Sequence, residues 1–121
     1  MRTPSNVAAR LAATPYAARV RALNDALRRR YAGGRVVTTS GIAALPESSQ
    51  GAVLAAVRGF DTFDARNDPY GEHDFGTVTV AGLLCFWKID ANNLSLGGHS
   101  PDPADPAVTV RVLTIMRAEE Y

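Results

Sequence analysis

The chain has 121 residues, 46% of them hydrophobic and 21% charged, and a net charge of +1. That size and balance fit one globular domain over residues 1–121 and give no case for a second. One cysteine excludes an intramolecular disulfide and a thiolate metal cluster within one chain, and no apolar run approaches the roughly 20 residues of a membrane span.

The first residues, "MRTPSNVAARLAATPY", lack the apolar core of a signal peptide and are broken by Pro4 and Pro15. A cytoplasmic protein is expected, with residues 1–13 as an N-terminal extension that has room for a short helix. The lone Cys85 also fits a reducing compartment, and inside "LLCFW" it should pack as a small hydrophobe. Charge is distributed unevenly. Residues 1–35 carry eight arginines against Asp25 alone, a net +7, whereas the remainder carries five basic and eleven acidic residues, a net −6. Such a layout either steers a charged partner or pairs the two halves of the chain with each other.

Thr14-Pro15 marks a helix start, with Thr as cap and Pro where a missing N–H costs nothing. Tyr16, Val20, Leu23, Leu27 and Tyr31 then recur within about 80° of the helix surface. This places Arg21, Asp25, Arg28 and Arg29 on the opposite, solvated side. Gly33-Gly34 closes the helix. "RVVTTS" at 35–40 is β-branched and predicts a strand. Pro46-Glu47 opens a second helix, with Val53, Val57 and Phe60 on one face.

From Asp61 to Asp74 the periodicity stops. "FGTVTVAGLLCFWKID" then reads as a β-hairpin turning at Ala81-Gly82. A two-residue turn pairs Gly76 with Trp87 and brings His73 opposite Asp90. A bulged turn brings Asp74 opposite Lys88, and is favoured because Ala resists the positive φ that the tighter turn demands. "ANNLSLGGHSPDPADP" is loop. Asp105-Pro106 repeats the cap-plus-Pro start, and with the ending "MRAEEY" it favours a final helix over 107–121. Val108, Val110 and Val112 also fit an alternating strand. The expected fold is therefore α+β, three helices packed on a small antiparallel sheet containing a β-hairpin, in the order α-β-α-β-β-α. Its expected core is Val20, Leu23, Leu27, Val36, Val53, Val57, Phe60, Val78, Phe86, Trp87, Val112 and Ile115.

The stretch "DARNDPYGEHDFG" at 64–76 looks most like chemistry. Counted from Asp64 as a calcium loop, the third, sixth and twelfth positions are Arg66, Pro69 and Phe75, so the ligand pattern fails. His73 and His99, 26 residues apart, could join Asp74 and Asp90 in a metal-dependent hydrolase site, although their spacing does not demand it. No serine sits in a nucleophile elbow, and no Lys follows the "GG" pairs as in a phosphate loop. No metal or cofactor is expected. "RRRYAGGR" offers a basic face, but a sequence pI near 7.9 and the lack of a nucleic-acid motif weigh against direct DNA or RNA binding. Asp68-Pro69-Tyr70-Gly71 has the residues of a turn. The favoured contact surfaces are the arginine face (Arg21, Arg28, Arg29) and the acidic loop (Asp64, Asp68, Glu72), in a non-enzymatic protein that binds another protein.

The stretches "RALNDALRR", "GGRVVTTSGIAAL", "FDTFDARNDPYGEHDFG", "FWKID" and "SPDPADPAVTVRVLTIMRAEEY" run in the order of a known family. The chain resembles the small bacterial proteins of domain of unknown function 3768, frequent on plasmids and integrated mobile elements. That family follows "WKID" with two tyrosines and an Asp, whereas Ala91, Asn92 and Asn93 stand here, so no role of that run carries over. The resemblance supplies no catalytic residue. It implies an anti-defence inhibitor, of anti-CRISPR or antirestriction type, whose partner is a nucleic-acid-handling defence complex.

Overall fold

A computed structural model describes residues 5–121. Helix α1 spans Ser5–Ala12 and α2 spans Pro15–Arg30, followed by strand β1 (Arg35–Thr38), a short helix α3 (Ser40–Ala43) and α4 (Glu47–Gly59). Then come β2 (Phe75–Val80), β3 (Leu83–Asn92) and β4 (Val110–Arg117), with 3-10 turns at Pro106–Val108 and Ala118–Glu120. No helix is long and apolar enough to cross a membrane among the described residues.

The expected start of α2 is present: the Thr14 side chain accepts from Ala17 N, and Pro15 opens the helix. Its end comes earlier than the glycines, because Tyr31 itself takes the left-handed cap conformation at φ 52 and donates its N–H to Leu27 O. The α+β class is correct, but the element list changes. The segment expected as a final helix is strand β4, preceded by a single 3-10 turn. Asp105 does cap that turn, accepting from Ala107 N, yet Thr109 is already extended. The β-branched run from Val108 to Ile115 loses side-chain freedom in a helix and packs readily on a pleated surface.

Pairing also differs from the purely antiparallel expectation. The sheet order is β1-β4-β3-β2. β3 runs antiparallel to both neighbours, while β1 runs parallel to β4, with Val36 beside Leu113. The sheet is mixed, and β4 lies inside it. A strand with helices on one face alternates, as β4 does, but here the inward face carries Arg111 with Leu113 and Ile115 while Val110 and Val112 are only partly buried, which obscures the period in the sequence.

The helices cover one face of the sheet. Leu27, Ile42, Val53, Val57, Cys85, Trp87, Ile89, Leu113 and Ile115 form the buried cluster. Of the expected core, Val20, Leu27, Val53, Val57, Trp87 and Ile115 are buried, and Leu23, Phe60, Val78, Phe86 and Val112 are partly so. Val36 is exposed instead, because β1 is an edge strand with little laid over it. On the opposite face the rings of Phe75, Phe86 and Tyr121 close on one another at 5.4–6.0 Å.

The hairpin takes the two-residue turn and not the bulged one. Val80 pairs with Leu83 and Gly76 with Trp87, with Ala81 at φ 51 and Gly82 at φ 78. These are the two positive φ values of a type I′ turn. Holding a residue with a Cβ there costs about 1 kcal/mol, less for Asn. Ala81→Asn is therefore expected to raise stability by about 0.5–1 kcal/mol, read as a higher urea midpoint with an unchanged slope.

Candidate functional site

Arg28 is the correction with the widest consequences. It does not project into solvent: it is fully buried. Nη1 donates to the carbonyl oxygens of Val57, Arg58 and Phe60 at 3.1, 3.3 and 2.7 Å, and Nη2 donates to Asp25 Oδ1 at 3.0 Å. Its guanidinium carbon lies 5.4 Å from the Phe63 ring centroid and 5.2 Å from that of Trp87. The last carbonyls of α4 are thus satisfied by a cation from α2, at the helix end where a cation is favoured. A counter-charge and backbone acceptors together make this burial tolerable.

Asp25 extends the network to the loop. His73 Nδ1 lies 2.8 Å from Asp25 Oδ1 and Nε2 lies 3.5 Å from Asp68 Oδ2. The imidazole stacks flat on Phe63, centroids 3.7 Å apart. Neither expected cross-strand pair forms. His73 turns away at φ 54, and Lys88 meets Asp90 along its own strand at 3.1 Å. The acidic loop is mostly turned on itself. Asp64 Oδ1 accepts from the backbone of Arg66 and Asn67, and these bonds hold its carboxyl below the usual range. Asp68, its side chain only 7% exposed, also opens the predicted turn, which closes through Gly71 N to Asp68 O. Arg21 Nη1 donates to Gly71 O at 2.7 Å, pinning that turn to α2.

Three of the four residues considered for a hydrolase line one cleft. Asp74, Asp90 and His99 are joined by Glu72, Val20, Asn24 and Pro103 around about 190 Å³. His73 is not among them, engaged as it is with Asp25 and Asp68. Beside the cleft, buried Arg111 donates Nε to Asn24 Oδ1 at 2.8 Å and Nη2 to Pro103 O. Asn24 Nδ2 in turn holds Glu72 O at 2.9 Å. Burial raises the Glu72 carboxyl, as do Asp74 and Asp68 nearby, against a smaller pull from Arg111. Asp74, though exposed at its rim, is raised by partial desolvation against a pull from its own backbone N–H, and further by Asp68 and Asp90. His99 is exposed and held by a backbone bridge to Asn92. No three His, Cys, Asp or Glu side chains converge as a metal-ligand set among the described residues.

A larger and shallower depression, about 540 Å³, lies where α2 and α4 end, lined by Arg29, Ala55, Arg58, Gly59 and Asp61. Arg29 and Arg58 are both exposed.

The family described as Protein of unknown function (DUF3768) matches residues 38–120. The chain belongs to it. No curated protein and no solved structure matches.

In this DUF3768 member the acidic cleft works against folding at neutral pH. A carboxyl whose folded pKa is raised contributes stability below the unfolded carboxyl range and loses it as pH rises through the folded value. Asp74→Asn should therefore stabilise the protein at pH 7, by about 0.5 kcal/mol once solvent screening of this open site is allowed for. The gain should shrink as pH falls through the raised carboxyl range and be lost towards about 3, below the ordinary Asp value, where folded and unfolded chains alike hold the proton. Urea titrations at the two pH values measure both. Arg58 and Arg111 went unsingled in the sequence. Arg111 gave no signal: the alternating reading grouped Val108, Val110 and Val112, whereas the buried set is Arg111, Leu113 and Ile115.

Proposed function

We propose that this protein is a non-catalytic protein-binding module whose contact surface is the arginine-lined end of α2 and α4. The observation that carries this reading is that Arg29 and Arg58 stand exposed across a concave surface, while Arg21, Arg28, Asp64 and Asp68 are engaged within the fold and Glu72 lies in the separate acidic cleft. Arg28 caps α4, Arg21 pins a loop, Asp64 holds its own turn, and Asp68 packs beside His73. Exposed guanidinium groups steer association with acidic protein surfaces. The family resemblance adds the partner class: a nucleic-acid-handling defence complex, met in the bacterial cytoplasm by an inhibitor carried on mobile DNA.

The test is affinity capture from the native host with the wild type and an Arg29→Glu/Arg58→Glu variant, thermal unfolding serving as the folding control. A partner enriched by the wild type and lost in the folded variant supports the reading. Equal capture by both removes this surface, and binding to a DNA duplex in preference to any protein replaces it with the nucleic-acid reading.

The acidic cleft favours a second reading, a small hydrolase, because raised carboxyls at Glu72 and Asp74 have the character of general acids. It ranks lower because His99 is exposed, whereas acid–base work needs an oriented ring. Hydrolysis of a generic ester or phosphodiester that disappears in Asp74→Asn, a variant expected to remain folded, would promote it.

A further inference from the structure

We infer that the depression between the ends of α2 and α4 takes a carboxylate side chain from an acidic segment of the partner protein, gripped by the Arg58 fork. The inference rests on the protein-binding reading above and adds the chemistry of what is bound. Arg58 is already positioned. Its Nε donates to Arg29 O at 3.0 Å, and its guanidinium lies 5.4 Å from the Tyr31 ring centroid. Tyr31 is fixed in turn by its hydroxyl, which donates to Leu54 O at 2.9 Å. With Nε occupied, the remaining donors of Arg58 are its two Nη groups, a planar pair that matches the two oxygens of a carboxylate. Much of the side-chain entropy that an arginine loses on binding has been lost here on folding.

An anion approaching the end of a helix normally meets its unsatisfied carbonyls and the negative end of its dipole. Here Arg28 satisfies three of them from inside. The buried cation thereby makes the exposed site possible. Shape agrees, because Ala55 and Gly59 leave the depression open and a Cβ built on Gly59 meets nothing within 4 Å. Charge selects among anions. Arg29 and Arg58 against Asp61 leave one net positive charge in the lining, which suits a carboxylate monoanion better than a phosphate near charge −2.

The experiment is a ¹⁵N-labelled NMR titration of the full chain at low salt with a capped hexaglutamate peptide, inorganic phosphate and a single-stranded oligonucleotide. Peptide-induced shifts should centre on residues 29–31 and 55–61. Arg58→Gln should weaken peptide binding about tenfold or more, the loss expected for one charge-assisted fork. Arg58→Lys should recover little, since it keeps the charge and loses the fork. Gly59→Leu, which alters no charge, should weaken binding by filling the depression. Shifts spread over all exposed arginines, binding unchanged in Arg58→Gln, no peptide binding, or tighter binding of phosphate or oligonucleotide would each overturn the assignment. The capture experiment decides the protein-binding reading separately: a partner held equally well by Arg58→Gln leaves that reading standing and removes this one.

Discussion

Replacing Arg28 with Ala is expected to lower the unfolding free energy by about 3–5 kcal/mol, the usual consequence of removing one member of a buried charge network. Total stabilities of single domains run to about 5–15 kcal/mol, so the variant should be partly unfolded near physiological temperature. Three losses combine. The carbonyls of Val57, Arg58 and Phe60 lose their donor in a site that water reaches poorly. Asp25 keeps only the His73 imidazole as a side-chain partner. A cavity opens between Phe63 and Trp87, whose rings lie against the guanidinium. Arg28→Lys should recover only part of the loss, because an ammonium cannot span three carbonyls and a carboxylate in the same plane. Arg29→Ala, its exposed neighbour, should change stability by no more than about 0.5 kcal/mol. Thermal and urea unfolding of the three variants measure the contrast. An Arg28→Ala protein within about 1 kcal/mol of wild type would show that the network contributes little.

Gly76→Ala carries the next largest expected effect, a destabilisation of about 1–3 kcal/mol from overpacking. Gly76 is buried in β2, directly across from Trp87. A Cβ added there would stand 2.5 Å from Trp87 Nε1 and 2.7 Å from two further ring atoms. The indole has nowhere to retreat. It is fully buried and meets Phe60 and Phe63 edge-on at 5.5 and 6.2 Å. Trp87 is the single tryptophan of the chain, so its fluorescence reports the displacement directly. A double-mutant cycle with Trp87→Phe isolates the clash. Phe lacks the second ring, so Gly76→Ala should cost clearly less in that background. Equal cost in both backgrounds would place the strain in the backbone and not in the indole.

Reading the sequence located the elements whose signals are local. Thr14-Pro15, the spacing of Val20 and Leu27, the helix after Pro46 and the turn at Ala81-Gly82 each depend on residues a few positions apart. The hairpin register went to the less favoured choice because the six β2–β3 pairs it sets, with Gly76 leaving room for Trp87, outweigh about 1 kcal/mol of strain at Ala81. For the site, the 64–76 stretch held the right residues, and three of the four hydrolase candidates do meet in one cleft. Their roles were not legible, because a loop without periodicity gives no rule for where each side chain turns. Arg28 was misplaced for a related reason. It lies about 100° round α2 from Leu27, outside the apolar stripe, and only the arrival of the α4 carbonyls makes that flank interior.

Local chemistry along the chain was enough to set the α+β class, the starts of α2 and α4 and the position of the hairpin, since caps, turns and helical stripes act within one or two turns of backbone. Whether 110–117 became helix or strand, which way β1 ran, and which charges were withdrawn from water depended on partners far away in the chain. The Arg111–Asn24 bond spans 87 positions and the Arg28–Phe60 bond spans 32. Desolvation and strand pairing are properties of assembled neighbours, and they override local preferences worth only a few tenths of a kcal/mol per residue.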